Sequence, residues 1–186
     1  MRKVVLYTLM SLDGAVDHPG RYFTAGPAGD VPAFDPEMVD NERTVIDAQD
    51  AVLLGRSMFD EWSQFWPTSD EQPFADFING VKKYVVTSTP LATQWHNAEP
   101  VDRPVAELVR DLKGRPGGDI GVHGSIELAR SLLEAGLVDE LRLVVGPVFG
   151  CPGRRLFPIT GDVRRLELLS AVPTSSGSVL LAYQVS

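Results

Sequence analysis

The chain has 186 residues, of which 44% are hydrophobic and 23% charged, so we expect one domain over residues 1–186 with a full hydrophobic core. The net charge of −8, with no run of Lys and Arg longer than a pair, argues against a nucleic-acid-binding surface. No apolar stretch has membrane-spanning length, no signal peptide is recognisable, and the single Cys151 excludes an internal disulfide. These features predict a cytoplasmic protein.

Apolar runs bounded by turn residues alternate with segments of helical periodicity along most of the chain. Strands are predicted at residues 4–9, 51–55, 83–87, 140–145, 165–171 and 179–185, and residues 94–100 could form a short one. Helices are predicted at residues 36–49, 104–113 and 125–135, and another starts at Ser57 with Asp60 at capping-box spacing. Residues 18–36, rich in Gly, Pro and Asp, should form a loop. The alternation, ending in an antiparallel hairpin, predicts a three-layer α/β fold with a mixed sheet.

Three strand ends carry residues that are suited to binding an anion. A short apolar run leads into Gly121-Val122-His123-Gly124-Ser125 and then into a helix, which offers glycine backbone and a helix N-terminus to a phosphate. Gly55-Arg56-Ser57 offers a guanidinium, and Thr87-Ser88-Thr89 offers hydroxyls without a carboxylate. Because ligands bind beyond the carboxyl ends of parallel strands, the three segments should share one site. Hydroxyls beside an arginine favour the 2′-phosphate of NADP over the ribose hydroxyl of NAD.

Each of these segments also has an ordinary structural interpretation. Arg56 could be a surface ion-pair partner, residues 87–89 could be a turn before Pro90, and the glycines could be simple turn formers. The three spaced glycines of the dinucleotide fingerprint are missing, which argues against a standard Rossmann domain. The three scattered histidines show no metal-ligand spacing, so no metal is expected.

Seven segments of the chain resemble the dihydrofolate reductase-like family and, within it, the reductase branch of riboflavin biosynthesis. The segments are residues 11–14 (SLDG), 53–59 (LLGRSMF), 65–67 (FWP), 83–91 (KYVVTSTPL), 122–125 (VHGS), 137–141 (LVDEL) and 147–157 (PVFGCPGRRLF). Each motif alone is common, but the set occurs in family order and covers almost the whole chain. The resemblance is to the C-terminal domain of bifunctional deaminase-reductases, and no zinc signature of a deaminase is present.

The resemblance implies a central sheet of about eight strands with helices on both faces, and NADPH as the hydride donor. The implied contacts are Gly55, Arg56, Ser57 and Met58 with the cofactor phosphates, and Thr87, Ser88 and Thr89 with the adenosine 2′-phosphate. The implied contacts with the pyrophosphate are Val122, His123, Gly124, Ser125 and Ile126, and those on the nicotinamide and substrate side are Leu12, Asp13 and Gly14. Trp66 is a further candidate for substrate binding, as part of the pocket wall, and could equally belong to the core. In this branch residues 150–157 and the neighbouring strand support a homodimer.

His123 and Gly124 occupy the place of a Gly-Gly pair that is in cis linkage in the folate enzymes. A cis bond without proline costs roughly 2.5–4 kcal/mol, and a bulky first residue leaves less room for it. We therefore expect an ordinary turn here, or a His123 side chain that is turned away from the phosphate.

Hydride transfer to a C=N bond needs a proton for the nitrogen, so a positioned acid is expected near the substrate. At 100° per residue, Glu42 falls at the centre of the apolar face of the helix predicted at residues 36–49. Burial there would raise its pKa toward a useful range, whereas pairing with a buried Arg would give it a structural role. Asp13 is the second candidate, and it could equally fix the turn in which it lies.

The favoured function is NADPH-dependent reduction of a small heterocycle, either a pterin or folate-like compound or a ribosylamino-uracil of the flavin route. A phosphorylated substrate would need more basic residues than the predicted loop supplies, since Arg21 is the one Lys or Arg in residues 17–34. One alternative is a non-catalytic protein of the same fold that binds NADP(H) or sequesters a ligand. A nucleotide-sugar or methyl-transfer enzyme of the Rossmann type is disfavoured by the missing acidic residue and glycine spacing.

Overall fold

The computed structural model of the protein describes residues 1–24, 34–157 and 163–185. Within these ranges the strands are β1 Val4–Ser11, β2 Gln49–Gly55, β3 Lys82–Val86, β4 Ala98–Val101, β5 Asp119–Val122, β6 Glu140–Gly146, β7 Glu167–Pro173 and β8 Val179–Gln184. They form one eight-stranded sheet in the order β4-β3-β2-β5-β1-β6-β8-β7. The pairs among β1 to β6 are parallel, whereas β8 pairs antiparallel with β6 and β7.

Helices cover both faces of this sheet. Among the described residues the α-helices are α1 Pro36–Asp47, α2 Arg56–Phe65, α3 Phe74–Gly80, α4 Val105–Lys113 and α5 Ile126–Glu134. The first three pack on one face through residues such as Met38, Phe59 and Ile78, and α4 and α5 pack on the other through Leu112 and Leu132. The three-layer α-β-α fold with its C-terminal antiparallel hairpin is therefore confirmed. Within the described ranges no helix is long and apolar enough to cross a membrane.

The strand order brings the predicted binding segments to one edge. β5 lies between β1 and β2, and β3 lies beside β2, all in parallel. β1 is buried on both faces, because Leu6 joins the core under α4 and α5 while Tyr7 joins the core under α1. Such burial explains why these strands read as continuous apolar runs. The carboxyl ends of β1, β2, β3 and β5 therefore meet at the same edge.

Some predicted boundaries and one predicted cap were wrong. α2 begins at Arg56 with Gly55 as its N-cap, and Asp60 binds the side chain of Arg56, so Ser57 and Asp60 form no capping box. The first strand of the hairpin begins and ends two residues later than predicted, because its turn starts only at Thr174. Residues 25–33 of the predicted long loop lie outside the described residues.

Lys83 in β3 is a fully buried lysine. Its Nζ donates hydrogen bonds to the carbonyl oxygens of Ile78 at 2.7 Å and Val81 at 2.9 Å, and it lies 4.6 Å from the ring centroid of Trp95. Because the last carbonyls of a helix have no partner within it, Lys83 stabilises the end of α3. Burial, together with the neighbouring charge of Lys82, lowers the pKa of Lys83 to about 8.

Candidate active site

The carboxyl ends of β2 and β5 are in direct contact. The N–H of Gly55, the last residue of β2, donates to the carbonyl oxygen of Gly124 at 3.2 Å. A Cβ atom on Gly55 would overlap the hydroxyl oxygen of Ser125 and would lie 3.0 Å from the Cβ of Ser125. Only glycine fits at position 55 without moving Ser125. The structure thus brings together two segments that the sequence placed at one site.

Two helices begin at this contact. Gly55 is the N-cap of α2 and Ser125 is the N-cap of α5, and neither helix start receives a side-chain cap. The first backbone N–H groups of both helices therefore stay available, and the two helix dipoles place positive potential at the same point. A phosphate group fits such a cradle, since a helix N-terminus binds anions through these same groups.

The turn between β5 and α5 differs from the expected one. The peptide bond between Gly124 and Ser125 is cis, so the expectation of an ordinary turn is wrong, and the special linkage lies one residue later than His123-Gly124. Gly124 has a φ of +135°, which side-chain-bearing residues rarely adopt, and a Cβ there would overlap Cε of Met58. The bulk of His123 does not oppose this linkage, because its first residue is the glycine.

Arg56 connects this cradle with the end of β3. Its Nε donates to both carboxylate oxygens of Asp60 at 2.8 Å, and its Nη1 donates to Oγ1 of Thr89 at 2.6 Å and to the carbonyl oxygen of Pro90 at 2.8 Å. Within the described part of the chain Nη2 has no hydrogen-bond partner. The third predicted segment therefore joins the other two, and one edge of the guanidinium remains free for an anion.

A cavity of about 40 Å³ lies beside the cradle. Its walls include Leu6, Tyr7, Thr8, Met58, His123, Gly124, Ser125 and Ile126. A larger groove of about 300 Å³ lies beside β3 and β4, near Arg103 and Arg115. None of the predicted site residues lines this groove. The candidate site therefore adjoins the smaller of the two cavities.

Asp13 holds the turn after β1 against residues 150–155. Its carboxylate accepts hydrogen bonds from Oγ of Ser11 at 2.7 Å, from the N–H of Gly150 at 3.1 Å and from Nη2 of Arg155 at 3.0 Å. The Ser11 hydroxyl, with smaller effects from Gly150 and Arg155, keeps the pKa of Asp13 below its usual range. An ionised carboxylate with three partners is poorly suited to donating a proton. These contacts favour the structural role of Asp13, and the adjacent Leu12 is 64% exposed.

Glu42 lies half-buried on the inner face of α1, where the sequence placed it. Met38, Val45 and Ile46 are the buried residues of this helix and share that face with it. Burial raises the pKa of Glu42 to about 7, and the negative charge of Glu71 adds to the effect. Among the described residues Glu42 has no ion-pair partner, so pairing with a buried arginine is not supported. A carboxyl group with a pKa near neutrality can donate a proton at neutral pH.

A polar cluster on the same side of the sheet was missed in the sequence. His123 lies next to Gln49, the first residue of β2, and their side chains hydrogen-bond at 2.9 Å between Nε2 and Oε1. Tyr7 of β1 packs beside the imidazole, with ring centroids 5.9 Å apart. The available signal was Gly121, because a glycine inside a buried strand often marks the close approach of another group.

Aromatic rings of α2 and α3 extend from this cluster. Phe74 lies 5.3 Å from the imidazole of His123 and 4.8 Å from the ring of Trp66, measured between centroids. The indole N–H of Trp66 is buried and has no partner among the described residues. Trp66, the candidate for the pocket wall, is therefore separated from His123 by the ring of Phe74.

Comparison with known families tests the family relationship that the sequence motifs indicated. A family model described as the RibD C-terminal domain matches residues 2–180. The chain belongs to this family. The resemblance to the reductase branch of riboflavin biosynthesis is thereby confirmed, and only Met1 and residues 181–186 of the chain lie outside the match.

Individual relatives of this RibD C-terminal domain cover the whole chain. The uncharacterized protein YyaP of Bacillus subtilis is 30% identical over 188 residues, which is 98% of this chain and 94% of YyaP. A putative riboflavin biosynthesis protein from Shewanella sp. PV-4 has a TM-score of 0.76 at 16% identity and 99% coverage of both chains. A deaminase and 5-amino-6-(5-phosphoribosylamino)uracil reductase of Thermotoga maritima has a TM-score of 0.67 at 15% identity; this chain matches 57% of its length. The two solved structures share the fold.

Proposed function

We propose that the protein is an NADPH-dependent reductase of a small heterocycle, of the pyrimidine or pterin type. The observation that carries this proposal is the cradle at Gly55 and Ser125, where two uncapped helix starts meet beside the free edge of Arg56. Membership in the RibD C-terminal domain family supports it, and so does the likeness to the Thermotoga protein, which is named as a uracil reductase.

The residues of the cradle fit the phosphates of a dinucleotide. The N–H groups at the starts of α2 and α5 would bind the pyrophosphate, and the missing Cβ atoms of Gly55 and Gly124 leave room for Ser125 and Met58. The free Nη2 of Arg56 and the exposed hydroxyl of Thr89 would bind the 2′-phosphate that distinguishes NADPH from NADH. When bound, NADPH supplies the hydride.

Glu42 would supply the proton. Reduction of a C=N bond adds a hydride to carbon and a proton to nitrogen, and the carboxyl of Glu42 carries that proton at pH values below about 7. The carboxylate that remains takes up a proton from solvent before the next turnover.

The test is a cofactor-oxidation assay on the purified protein. NADPH is mixed in turn with dihydrofolate and with the deaminated ribosylamino-pyrimidine of the flavin route, and the loss of NADPH absorbance is followed. Oxidation that requires one of these substrates supports the proposal. Tight NADPH binding without turnover of either substrate would contradict it and would favour the non-catalytic ligand-binding alternative.

For the assembly we infer a homodimer that forms through β7. This strand is at the edge of the sheet, all seven of its residues are exposed, and Leu168, Leu169 and Val172 are each about half exposed. An open, apolar edge strand invites pairing with another chain, and a second copy would cover it. Residues 150–155, in contrast, are held by Asp13 of their own chain.

A further inference from the structure

A third group of side chains, next to the cradle and the proposed acid, has no role in the proposed function. Tyr7 and Gln49 are 6% and 8% exposed, and His123 is half-buried between them. The hydroxyl of Tyr7 and the Nε2 of Gln49 have no hydrogen-bond partner among the described residues. Asn41 lies near the Tyr7 hydroxyl without meeting hydrogen-bond geometry. Because buried polar atoms are nearly always paired, this cluster is incomplete without a further partner.

The hydrogen bond between His123 and Gln49 fixes the protonation of the imidazole. In the orientation that the structure gives the Gln49 amide, Oε1 faces the imidazole and can only accept, so Nε2 of His123 donates across the 2.9 Å separation. Burial lowers the pKa of His123 to about 4, which leaves the ring neutral at pH 7. In a neutral ring with its proton on Nε2, the Nδ1 atom is an acceptor. No described residue occupies this acceptor.

The fold makes room for this pair at a specific position. A Cβ atom on Gly121 of β5 would lie 2.6 Å from Cδ of Gln49 and 2.9 Å from Nε2 of His123. A glycine inside a strand weakens that strand, because it has no side chain to pack and loses more conformational entropy on folding. The hydrogen bond between Gln49 and His123, for which Gly121 leaves room, compensates for part of this loss. Gln49 and His123 are 74 positions apart in the chain and meet only across the β2–β5 pair.

The cluster is continuous with the cofactor cradle. Tyr7 and His123 line the same cavity as Gly124 and Ser125. Burial raises the pKa of Tyr7, and the charge of Glu42 adds to the effect, so this hydroxyl stays protonated and can donate. An acceptor, a donor and the proposed acid therefore lie on the same face of the sheet, under α1.

We propose that His123 and Tyr7 bind the substrate ring, with Nδ1 of His123 accepting from a ring N–H and the hydroxyl of Tyr7 donating to the neighbouring carbonyl oxygen. Gln49 is the positioning residue, because it selects the tautomer in which Nδ1 accepts. The ligand class is then a neutral heterocycle with an N–H beside a C=O. This assignment rests on the proposed function, since it takes the cradle as the cofactor site.

The first test reads the tautomer directly by ¹⁵N NMR of the imidazole nitrogens at pH 7. We expect a protonated Nε2 and an unprotonated Nδ1 for His123 in the wild type. In Gln49→Leu this preference should weaken, and the exposed His18 and His96 serve as internal references. A His123 that carries its proton on Nδ1, or that is doubly protonated, would overturn the assignment. A merely structural role of Gln49 would not move the tautomer.

The second test uses uracil and 1,3-dimethyluracil as probes, with and without NADPH. Uracil should shift the Nδ1 signal of His123, and dimethyluracil, which lacks both N–H donors, should bind at least tenfold more weakly. Equal binding of the two probes, or no shift at Nδ1, contradicts the subsite even if NADPH binds well. Failure of NADPH to bind while uracil still shifts Nδ1 contradicts the proposed cofactor instead and leaves the subsite supported.

Matched variants separate the subsite from general stability. Gly121→Ala should displace Gln49 and weaken uracil binding about as much as Gln49→Leu, because both remove the same hydrogen bond. Gly80→Ala is the control, since a Cβ on Gly80 meets nothing within 4 Å. His123→Phe should lose uracil binding, because the phenyl ring offers no acceptor in place of Nδ1. If the melting temperature of Gly121→Ala lies far below that of Gly80→Ala, its uracil binding is not interpreted. The tautomer of His123 in Gln49→Leu, measured by NMR, then tests the subsite.

Discussion

Gly55 and Ser125 lie so close together that a Cβ atom on Gly55 would overlap the hydroxyl oxygen of Ser125. The two residues are the N-caps of α2 and α5, at the ends of neighbouring strands. Their contact joins two helix starts in one anion-binding cradle. Glycine at position 55 is therefore required by Ser125, and the cradle depends on the pair.

Gly55→Ala should weaken NADPH binding by at least tenfold, because the new methyl group pushes Ser125 and the start of α5 out of place. Ser125→Gly removes the obstructing hydroxyl and Cβ, so the double variant should regain most of the lost affinity. Fluorescence titration with NADPH measures both. Gly80→Ala, which meets no atom within 4 Å, should leave the affinity unchanged. If the double variant binds NADPH as weakly as Gly55→Ala does, overlap with the Ser125 side chain is not the cause of the lost affinity.

Arg56→Ala should weaken NADPH binding by about 10–100-fold and NADH binding by much less, since a charge-assisted pair with the 2′-phosphate is lost only for NADPH. Asp60→Asn should have the opposite effect and strengthen NADPH binding modestly, because it removes the carboxylate that holds Nε of Arg56. Titrations with both cofactors at several salt concentrations provide the measurement. Equal losses for NADPH and NADH would contradict the role of Arg56 in cofactor selection.

Glu42→Gln should lower turnover by about 10²–10⁴-fold while leaving NADPH affinity unchanged. In the wild type turnover should fall as the pH rises through about 7, because the raised pKa keeps the proton on Glu42 only below that value. The variant should lack this fall. Folding stability should also fall as the pH rises from 4.5 to 7, because the carboxyl of Glu42 ionises in the unfolded chain while the buried one stays protonated. This fall should be smaller in Glu42→Gln. Asp13→Asn, which alters a carboxylate with a lowered pKa, is the comparison variant.

Lys83→Met should reduce the free energy of unfolding by about 2–3 kcal/mol at pH 7, since it leaves the buried carbonyls of Ile78 and Val81 without their donor. Because burial lowers the pKa of Lys83 to about 8, the wild type should gain stability relative to the variant between pH 8 and 10.5. Urea unfolding across this range checks both points. Lys82→Met, which removes an exposed pair with Glu99 and a contact with the ring of Tyr84, should cost less than about 1 kcal/mol.

Leu169→Lys and Val172→Lys should each shift the protein from dimer to monomer, because a charge on the exposed edge strand opposes pairing with a second copy. Light scattering at several protein concentrations measures the mass. Val163→Lys, at a fully exposed position outside β7, is the control and should stay dimeric. A wild type that is monomeric at all concentrations would contradict the proposed assembly.

The layers of the fold, the strand ends and the inward face of α1 were all predictable from local patterns in the sequence. Each of these follows from local rules: apolar runs between turn residues mark buried parallel strands, and a 100° helical step places Glu42 among Met38, Val45 and Ile46. Ordered motifs then identified the family, and its model matches residues 2–180. The uncapped start of α2 and the exact hairpin bounds were not predictable, because turns and helix starts shift by a residue or two at little cost.

The neighbours of each of these residues, in contrast, depend on how the elements pack in three dimensions. Gln49, expected at the end of a helix, begins β2 and reaches His123 because β2 and β5 are neighbours and Gly121 leaves room between them. The linkage expected at His123-Gly124 lies at Gly124-Ser125. Local patterns report which face a residue occupies, but a contact across 74 positions depends on strand order and on the space that a distant glycine leaves.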